Sequence, residues 1–569
     1  MIRLELLGPP ELSVDGEPPP RELTWRKNLG LLVYLARSPR GQRSRDHLAE
    51  VFWPDRDEKD ARHSLNEALR VVRKHLPDGA LETEMDQVNL DRSALSMDAD
   101  DFMDALEAAD PHRAAMLIRG EFMEGFGIPE SNAFEDWLSA ERRSWRGHFV
   151  EVLVSVATAA LEEGDLTTAR LAADRARAVD ALADAPVHIS MECAALAGNP
   201  TSALARFRAF AEHLEQELGL EPPAALATLA ERIHEQREIA SDELRGEESA
   251  LSRRLPLVGR GEALREALEA VRACRREAEP ALLVVSGPPG SGKTRLGEEI
   301  GLRARLEGFD VAELRCDVGD REDPTDVIAL AEDATERAPV LIWVDEAQQL
   351  DAEACAALAP TKRRFGDHPV AVLLTATSSP PSPALDELAA RIGRDFPGHS
   401  VELSALSAAD LARLARAVLP KWDHGEIERL ARRLHRDTGG LPLLSVDMLH
   451  ALRLGLELES EDEEPAPWPE PARTMDQTFP ADIPGPLVAA IRVGFRRLSP
   501  EAQDVLKAGS LLTGRFTAEQ LARGLEIEPD RLREALDELE WRRWLVAEPR
   551  GYDFVAQLHR TVVERDMMT

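Results

Sequence analysis

Three apolar runs of five residues, at 281–285, 340–344 and 370–374, stand out in a chain whose hydrophobic positions otherwise recur every three or four residues. Unbroken apolar runs of that length suit strands covered on both faces, as in a parallel sheet between helices. Helical spacing is clear at Leu65, Leu69, Val72 and Leu76, and predicts a helix over 57–76. Two shorter helices are predicted before it, at 29–36 and Arg45–Phe52. Alternating segments at Leu81–Glu84 and Gln87–Leu90 predict a hairpin, and residues 2–7 with Glu11–Val14 predict a small antiparallel platform. From 99 to about 240 the spacing is helical throughout.

The first apolar run leads directly into Gly287, Pro288, Pro289, Gly290, Ser291, Gly292, Lys293 and Thr294, the pattern G-x-x-x-x-G-K-T between a strand and a helix. In that context the loop's backbone N–H groups can close around phosphates, Lys293 can reach the β- and γ-oxygens, and the Thr294 hydroxyl can hold Mg²⁺. A Gly-rich turn that merely happens to carry a lysine rarely follows a strand in this way. ATP or ADP binding is therefore expected. The second run ends in Asp345 and Glu346, expected on a neighbouring strand, with Asp345 in the Mg²⁺ shell and Glu346 orienting or deprotonating the attacking water. Lys293, Asp345 and Glu346 are thus the candidate catalytic residues. The third run ends in Thr375, Ala376, Thr377 and Ser378, whose hydroxyls are expected near a γ-phosphate.

A chain of 569 residues exceeds one core, so several domains are expected. Its four cysteines are far apart and match no metal-ligand spacing, which fits reduced thiols in the cytoplasm. No apolar run is long enough to span a bilayer, and the first residues are not a secretory signal, so no membrane partner is expected. The net charge of −35 argues globally against nucleic acid. Residues 21–76 nevertheless hold 13 Lys or Arg against 8 Asp or Glu, a local excess of 13 − 8 = +5. In the third helix of that island Arg62, Asn66, Arg70, Arg73 and Lys74 lie off the apolar stripe, the side-chain chemistry that a DNA groove and backbone require. A plain solvated basic face fits charge alone equally well.

The residues Leu7-Gly8-Pro9, Val14-Asp15-Gly16, Arg26-Lys27, the stretch Leu48, Phe52-Trp53-Pro54-Asp55, Ala61-Arg62-His63-Ser64-Leu65 and Leu69-Arg70 resemble the winged-helix domain of the antibiotic-regulatory-protein (SARP) activators. That resemblance implies an OmpR-like winged helix over 1–97 that binds repeated promoter DNA and works with RNA polymerase. Gly164-Asp165 and Ala169 return 34 residues later as Gly198-Asn199 and Ala203, the tetratricopeptide period. With Phe134-Glu135-Asp136-Trp137-Leu138, this makes residues 98–245 resemble the bacterial transcriptional activator domain (BTAD) that follows the winged helix in the same family.

After a linker at 246–256, Val258-Gly259-Arg260 precedes the phosphate loop as in STAND (NB-ARC-like) regulatory ATPases, and Gly440-Leu441-Pro442-Leu443 is similar to the Gly-Leu-Pro-Leu motif of their helical subdomain. Gln557-Leu558-His559-Arg560 resembles the place where that family sets a histidine against the β-phosphate. The resemblance implies a P-loop NTPase with a parallel sheet at 257–400 and a helical lid at 401–455. An acidic Pro-rich linker would follow at 456–485, then a second winged helix at 486–569. It also implies that Val258, Arg260, Arg295, Pro442 and His559 join the loop residues in holding the nucleotide. The expected whole is a multidomain α/β plus α protein: winged helix, TPR-like domain, NTPase, lid and second winged helix. Its expected function is ATP-gated transcription regulation, with slow hydrolysis as a reset and self-association on ATP binding. Two other readings stand beside it: an ATP-driven remodelling enzyme of the AAA+ type, and a STAND signalling or defence scaffold whose winged helix binds protein.

Overall fold

The computed structural model describes residues 2–243, 255–316, 333, 339–378, 382–453, 491 and 495–566, apart from 497, 513–515, 526, 543, 549–550 and 555–556. Most of the linker at 246–256 and all of the linker at 456–485 lie outside the described residues. Two compact units are present, the first made of Met1–Leu161, Thr167–Cys193 and Ala205–Ala227, the second of Glu162–Leu166, Ala194–Leu204 and Thr228–Thr569.

In the first unit β1 (Ile2–Glu5) pairs antiparallel with β2 (Glu11–Val14), as expected, and parallel with β6 (Leu95–Met97), which the sequence did not announce. Between them run the helices Arg26–Arg37, Arg45–Phe52 and Glu58–Lys74, then the hairpin of β4 (Leu81–Glu84) and β5 (Gln87–Leu90). A third strand, β3 (Gln42–Ser44), joins the hairpin in the order β3-β5-β4. Caps fix the helix starts: Ser44 accepts from the His47 N–H, and Asp57 from the Asp60 N–H. The core passes residue 98 without a break. Phe134, on the 31-residue helix Asn132–Glu162, packs its ring 5.4 Å from Phe52, and Trp137 lies 4.9 Å from Tyr34. Asp98 is buried, and its carboxylate accepts the Leu6 and Leu7 N–H groups at 2.7 and 3.0 Å.

Helical hairpins follow. Both members of the 34-residue echo share a local structure: Gly164 and Gly198 have φ of +80° and +75°, and Ala169 and Ala203 are fully buried.

The second unit holds a five-stranded parallel sheet in the order β11-β7-β10-β9-β8, with β7 at Ala281–Gly287, β8 at Asp310–Arg315, β9 at Val340–Asp345, β10 at Val370–Thr377 and β11 at Gly398–Glu402. The three apolar runs are its central strands, with nearly every residue buried. The expectation that Asp345 sits on a strand adjacent to the phosphate-loop strand is corrected: β10 lies between β7 and β9, pairing Thr375 with Val285 and Leu374 with Val344. Helices Ala408–Val418, His424–Thr438 and Pro442–Arg453 share one continuous apolar core with the carboxyl-terminal helices Pro500–Leu511, Pro529–Trp541 and Gln557–Asp566. Beside these helices a hairpin forms from β12 (Leu545–Glu548) and β13 (Gly551–Phe554).

Candidate nucleotide site

The strand β7 delivers the chain into the loop 287–292, and the helix Lys293–Glu307 leaves it. Gly292 caps that helix at φ +91°, a conformation any side chain would strain, so the tight entry requires glycine there. A cavity of about 730 Å³ opens over the loop, a size that suits a nucleotide. Gly290, Ser291, Gly292, Lys293, Thr294, Arg295 and Glu346 line it, as do Val258, Arg260 and Pro442. Gly287 lies just beneath, with the Ser291 hydroxyl over its Cα.

The polar groups divide into two kinds. Lys293 is buried and its Nζ donates to the Pro288 carbonyl at 3.1 Å; burial lowers its pKa, against the pull of Glu346 and Asp345. The Ser291 hydroxyl is buried and has no hydrogen-bond partner. A buried hydroxyl and ammonium facing a helix start are suited to the oxygens of a phosphate. Arg260, by contrast, is engaged with backbone: its guanidinium donates to the carbonyls of Gly259 at 3.0 Å, Ser291 at 3.0 Å and Ser404 at 2.7 Å. It braces the phosphate loop against the chain beyond β11, and its desolvation lowers its pKa. Arg295 pairs with Glu299 at 3.0 Å.

Thr294 Oγ1 donates to Asp345 at 3.0 Å, which brings the loop and the end of β9 together. A hydroxyl and a carboxylate so close are hard oxygen donors of the kind Mg²⁺ takes beside phosphate oxygens. Glu346 lines the cavity and has φ +56°, a left-handed conformation that costs a non-glycine residue on the order of 1 kcal/mol. Gln348 carries no motif that announces its place in the site. Its amide donates to Glu346 and its carbonyl accepts the Thr377 N–H at 2.8 Å, tying the acid to the end of β10. Thr377 lines the cavity as expected for a hydroxyl near phosphate; Thr375 does not, being fully buried with its hydroxyl on Asp345.

Pro442 and Leu443 begin the helix Pro442–Arg453 directly over the loop, and the Leu443 N–H donates to the Gly290 carbonyl at 3.2 Å. His559 is not brought to the cavity. Its ring packs 4.8 Å from Trp544 in the apolar core, its Nδ1 has no partner, and burial pushes its pKa down to about 4.

On the helix Glu58–Lys74 the five proposed DNA-reading side chains are all exposed, and all are engaged. Arg62 pairs with Asp46 at 2.8 Å and Glu58 at 3.1 Å, Asn66 accepts from Arg45 at 2.5 Å, and Arg70 pairs with Glu67 at 3.1 Å. Arg73 donates to the Leu81 carbonyl at 2.9 Å and so fixes the hairpin. Lys74 and His75 both bond Glu22 and hold its carboxyl down to about 2.

Sequence comparison agrees with this geometry. Residues 86–234 match the bacterial transcriptional activator domain, and residues 283–394 match the ATPase family associated with various cellular activities (AAA). No curated protein matches the chain. Among solved structures it is similar to the Walker-type ATPase of Pyrococcus abyssi, at 17% identity over 54% of this chain and 96% of that one, with a TM-score of 0.34. It is also similar to Mycobacterium tuberculosis EmbR in complex with a low-affinity phosphopeptide, at 16% identity over 49% and 72%, with a TM-score of 0.35. For a RuvB variant of Thermotoga maritima the figures are 18%, 52%, 92% and 0.31. The chain thus carries a BTAD and a P-loop ATPase domain, a pairing that supports an ATPase-linked transcriptional regulator. No helix among the described residues is long and apolar enough to cross a membrane.

Proposed function

From a transcriptional activator domain and an AAA-family ATPase domain joined in one chain, we propose an ATP-gated transcriptional regulator of the STAND type. Its amino-terminal helices and hairpin would act as a winged helix on promoter repeats, with RNA polymerase as the further partner. The observation that carries the gating is the bond from the Leu443 N–H to the Gly290 carbonyl. A helix that starts on the phosphate loop, and whose core continues into the carboxyl-terminal helices, is mechanically linked to whatever the loop holds. Gating then follows from differential affinity: ligands that bind two arrangements of loop and lid unequally shift their populations.

Within the site, Ser291 and the loop N–H groups would hold the diphosphate, and Lys293 would leave the Pro288 carbonyl for the terminal phosphate. Thr294 and Asp345 would hold Mg²⁺, which when bound neutralises developing phosphate charge. Glu346, held by Gln348, would orient water for slow hydrolysis that resets the switch. Open chains would self-associate, because linked copies of one small DNA-reading head gain effective concentration on repeated sites. The match of residues 283–394 to the AAA family favours a second reading, a remodelling motor whose output is turnover itself.

Footprinting of the full chain on its own upstream DNA, with ATP, with ADP and without nucleotide, separates the two. Repeat-spaced protection that depends on the nucleotide supports the regulator. Identical protection in all three conditions overturns gating, and DNA-independent turnover coupled to ring assembly, without protection, favours the motor.

A further inference from the structure

A buried polar chain runs between β9 and β10 that neither the phosphate-loop motif nor the acidic strand end accounts for. Trp343 is 2% exposed, and its Nε1–H donates to Thr375 Oγ1 at 3.1 Å. Thr375 Oγ1 lies 2.5 Å from Asp345 Oδ1 and 3.3 Å from the Val344 carbonyl. The direction of this chain is fixed by chemistry. An indole N–H can only donate and an ionised carboxylate can only accept, so the single Thr375 hydrogen goes to the nearer, charged acceptor, Asp345. One Asp345 oxygen is thereby held, and the other meets the Thr294 hydroxyl.

The same indole also sets the phosphate-loop helix. A Cβ on Gly297 would lie 2.5 Å from Trp343 Cζ2, so the helix that carries Lys293 and Thr294 rests on the ring only because residue 297 has no side chain. Trp343 therefore touches both halves of the site, through packing on one side and through Thr375 on the other.

We propose that Trp343 and Thr375 are positioning residues, a one-way hydrogen-bond relay that turns the Asp345 carboxylate toward the Mg²⁺ of a bound nucleotide. The proposal rests on the phosphate-loop reading above and deepens it. Groups that orient an ion-binding carboxylate typically change ion affinity 10- to 100-fold when removed.

The test is equilibrium titration of the full chain with a non-hydrolysable ATP analogue, in Mg²⁺ and in EDTA. The relay acts on the gain in affinity that Mg²⁺ confers. Thr375→Val should cut that gain about tenfold while leaving the EDTA affinity unchanged, and Thr375→Ser, which restores the hydroxyl, should keep it. Trp343→Phe stays aromatic but loses both the N–H and the indole edge against Gly297, and should cut the gain with a change in EDTA affinity that Thr375→Val lacks. A full Mg²⁺ gain in Thr375→Val, or an equal loss in Thr375→Ser, overturns the relay. Should Thr375→Val fail to unfold cooperatively, Thr375→Ser and Trp343→Phe decide the matter. Wild-type protein that binds no analogue in either condition refutes the phosphate-loop reading itself, whereas binding without any Mg²⁺ gain refutes only the assignment of Asp345 and its relay.

Discussion

The phosphate loop and the helix Glu58–Lys74 both present cationic and hydroxyl groups, yet they are built in opposite ways. At the loop the groups are buried and under-used: Ser291 Oγ has no partner, and Lys293 has one backbone carbonyl. On the helix the groups are exposed and satisfied, with Arg62, Arg70 and Lys74 each paired to a carboxylate within the same unit. Burial explains the difference. A desolvated donor left without a strong acceptor is costly, so buried groups of this kind are suited to receive the oxygens of a phosphate, whereas exposed ion pairs form and exchange at little cost. The first arrangement suits a nucleotide's phosphates; on the second, any phosphate would have to compete with the protein's own acids.

The largest effect expected is on chemistry at the loop. Glu346→Gln retains the shape that Gln348 holds but cannot take a proton. Hydrolysis should fall by about 10³-fold with nucleotide affinity unchanged, as rapid-quench and binding assays would read. A fall of less than tenfold would remove Glu346 from the chemistry. Lys293→Ala should weaken nucleotide binding by about 3 kcal/mol, the loss of two charge-assisted hydrogen bonds, or roughly 100-fold in Kd. Undiminished affinity in equilibrium dialysis would mean that the buried ammonium serves packing alone.

His559 sharpens the contrast because it is a third case, buried and without a partner at Nδ1, yet away from the cavity. Its folded pKa of about 4 lies below the ordinary 6.5, so the unfolded chain binds the proton more readily. Stability is then complete above about pH 6.5 and declines as pH falls toward 4, by about 2 kcal/mol between pH 7 and pH 5. Denaturant unfolding of His559→Leu should lose that pH dependence. A variant that instead changed ADP affinity at constant stability would show the ring reaching phosphate in another arrangement of the chain.

Much of this division was legible in the sequence, for reasons that differ by element. The central strands β7, β9 and β10 are buried on both faces and read as unbroken apolar runs, and the loop motif is a local spacing. The amino-terminal helices and hairpin carried their own periodicity, whereas the caps at Ser44 and Asp57 emerged with the fold. The edge strand β8 mixes exposed and half-buried positions without a regular alternation, and β3 and β6 have three residues each, too few to establish a period. Strand order is non-local, so nothing in the run 370–374 announced that it would separate β7 from β9. Thr375 looked like one hydroxyl among several at a strand end; only the register that sets it beside Asp345 gives it a separate task. The engagement of Arg62 was equally hidden, since Asp46 lies 16 residues away on a different helix.

That last pair gives the smallest and most discriminating test. Asp46 holds Arg62 through two hydrogen bonds, at 3.2 and 2.8 Å, and raises the guanidinium pKa further above its ordinary value. If the exposed face meets DNA phosphate, binding exchanges this carboxylate for a phosphate oxygen, and the energy of the original pair is subtracted from the affinity. Asp46→Asn removes the stronger of the two competing charges, leaving Glu58, without shortening the side chain. Promoter affinity should rise a few-fold, and the slope of log K against log salt should steepen by up to about 0.9, one added phosphate contact. Arg62→Ala in the Asp46→Asn background should return the slope to its starting value, and Arg70→Ala alone should reduce it by about the same step. A slope unmoved by all three variants would make the helix face a solvated surface, and the comparison with the phosphate loop would then be one between a site and no site.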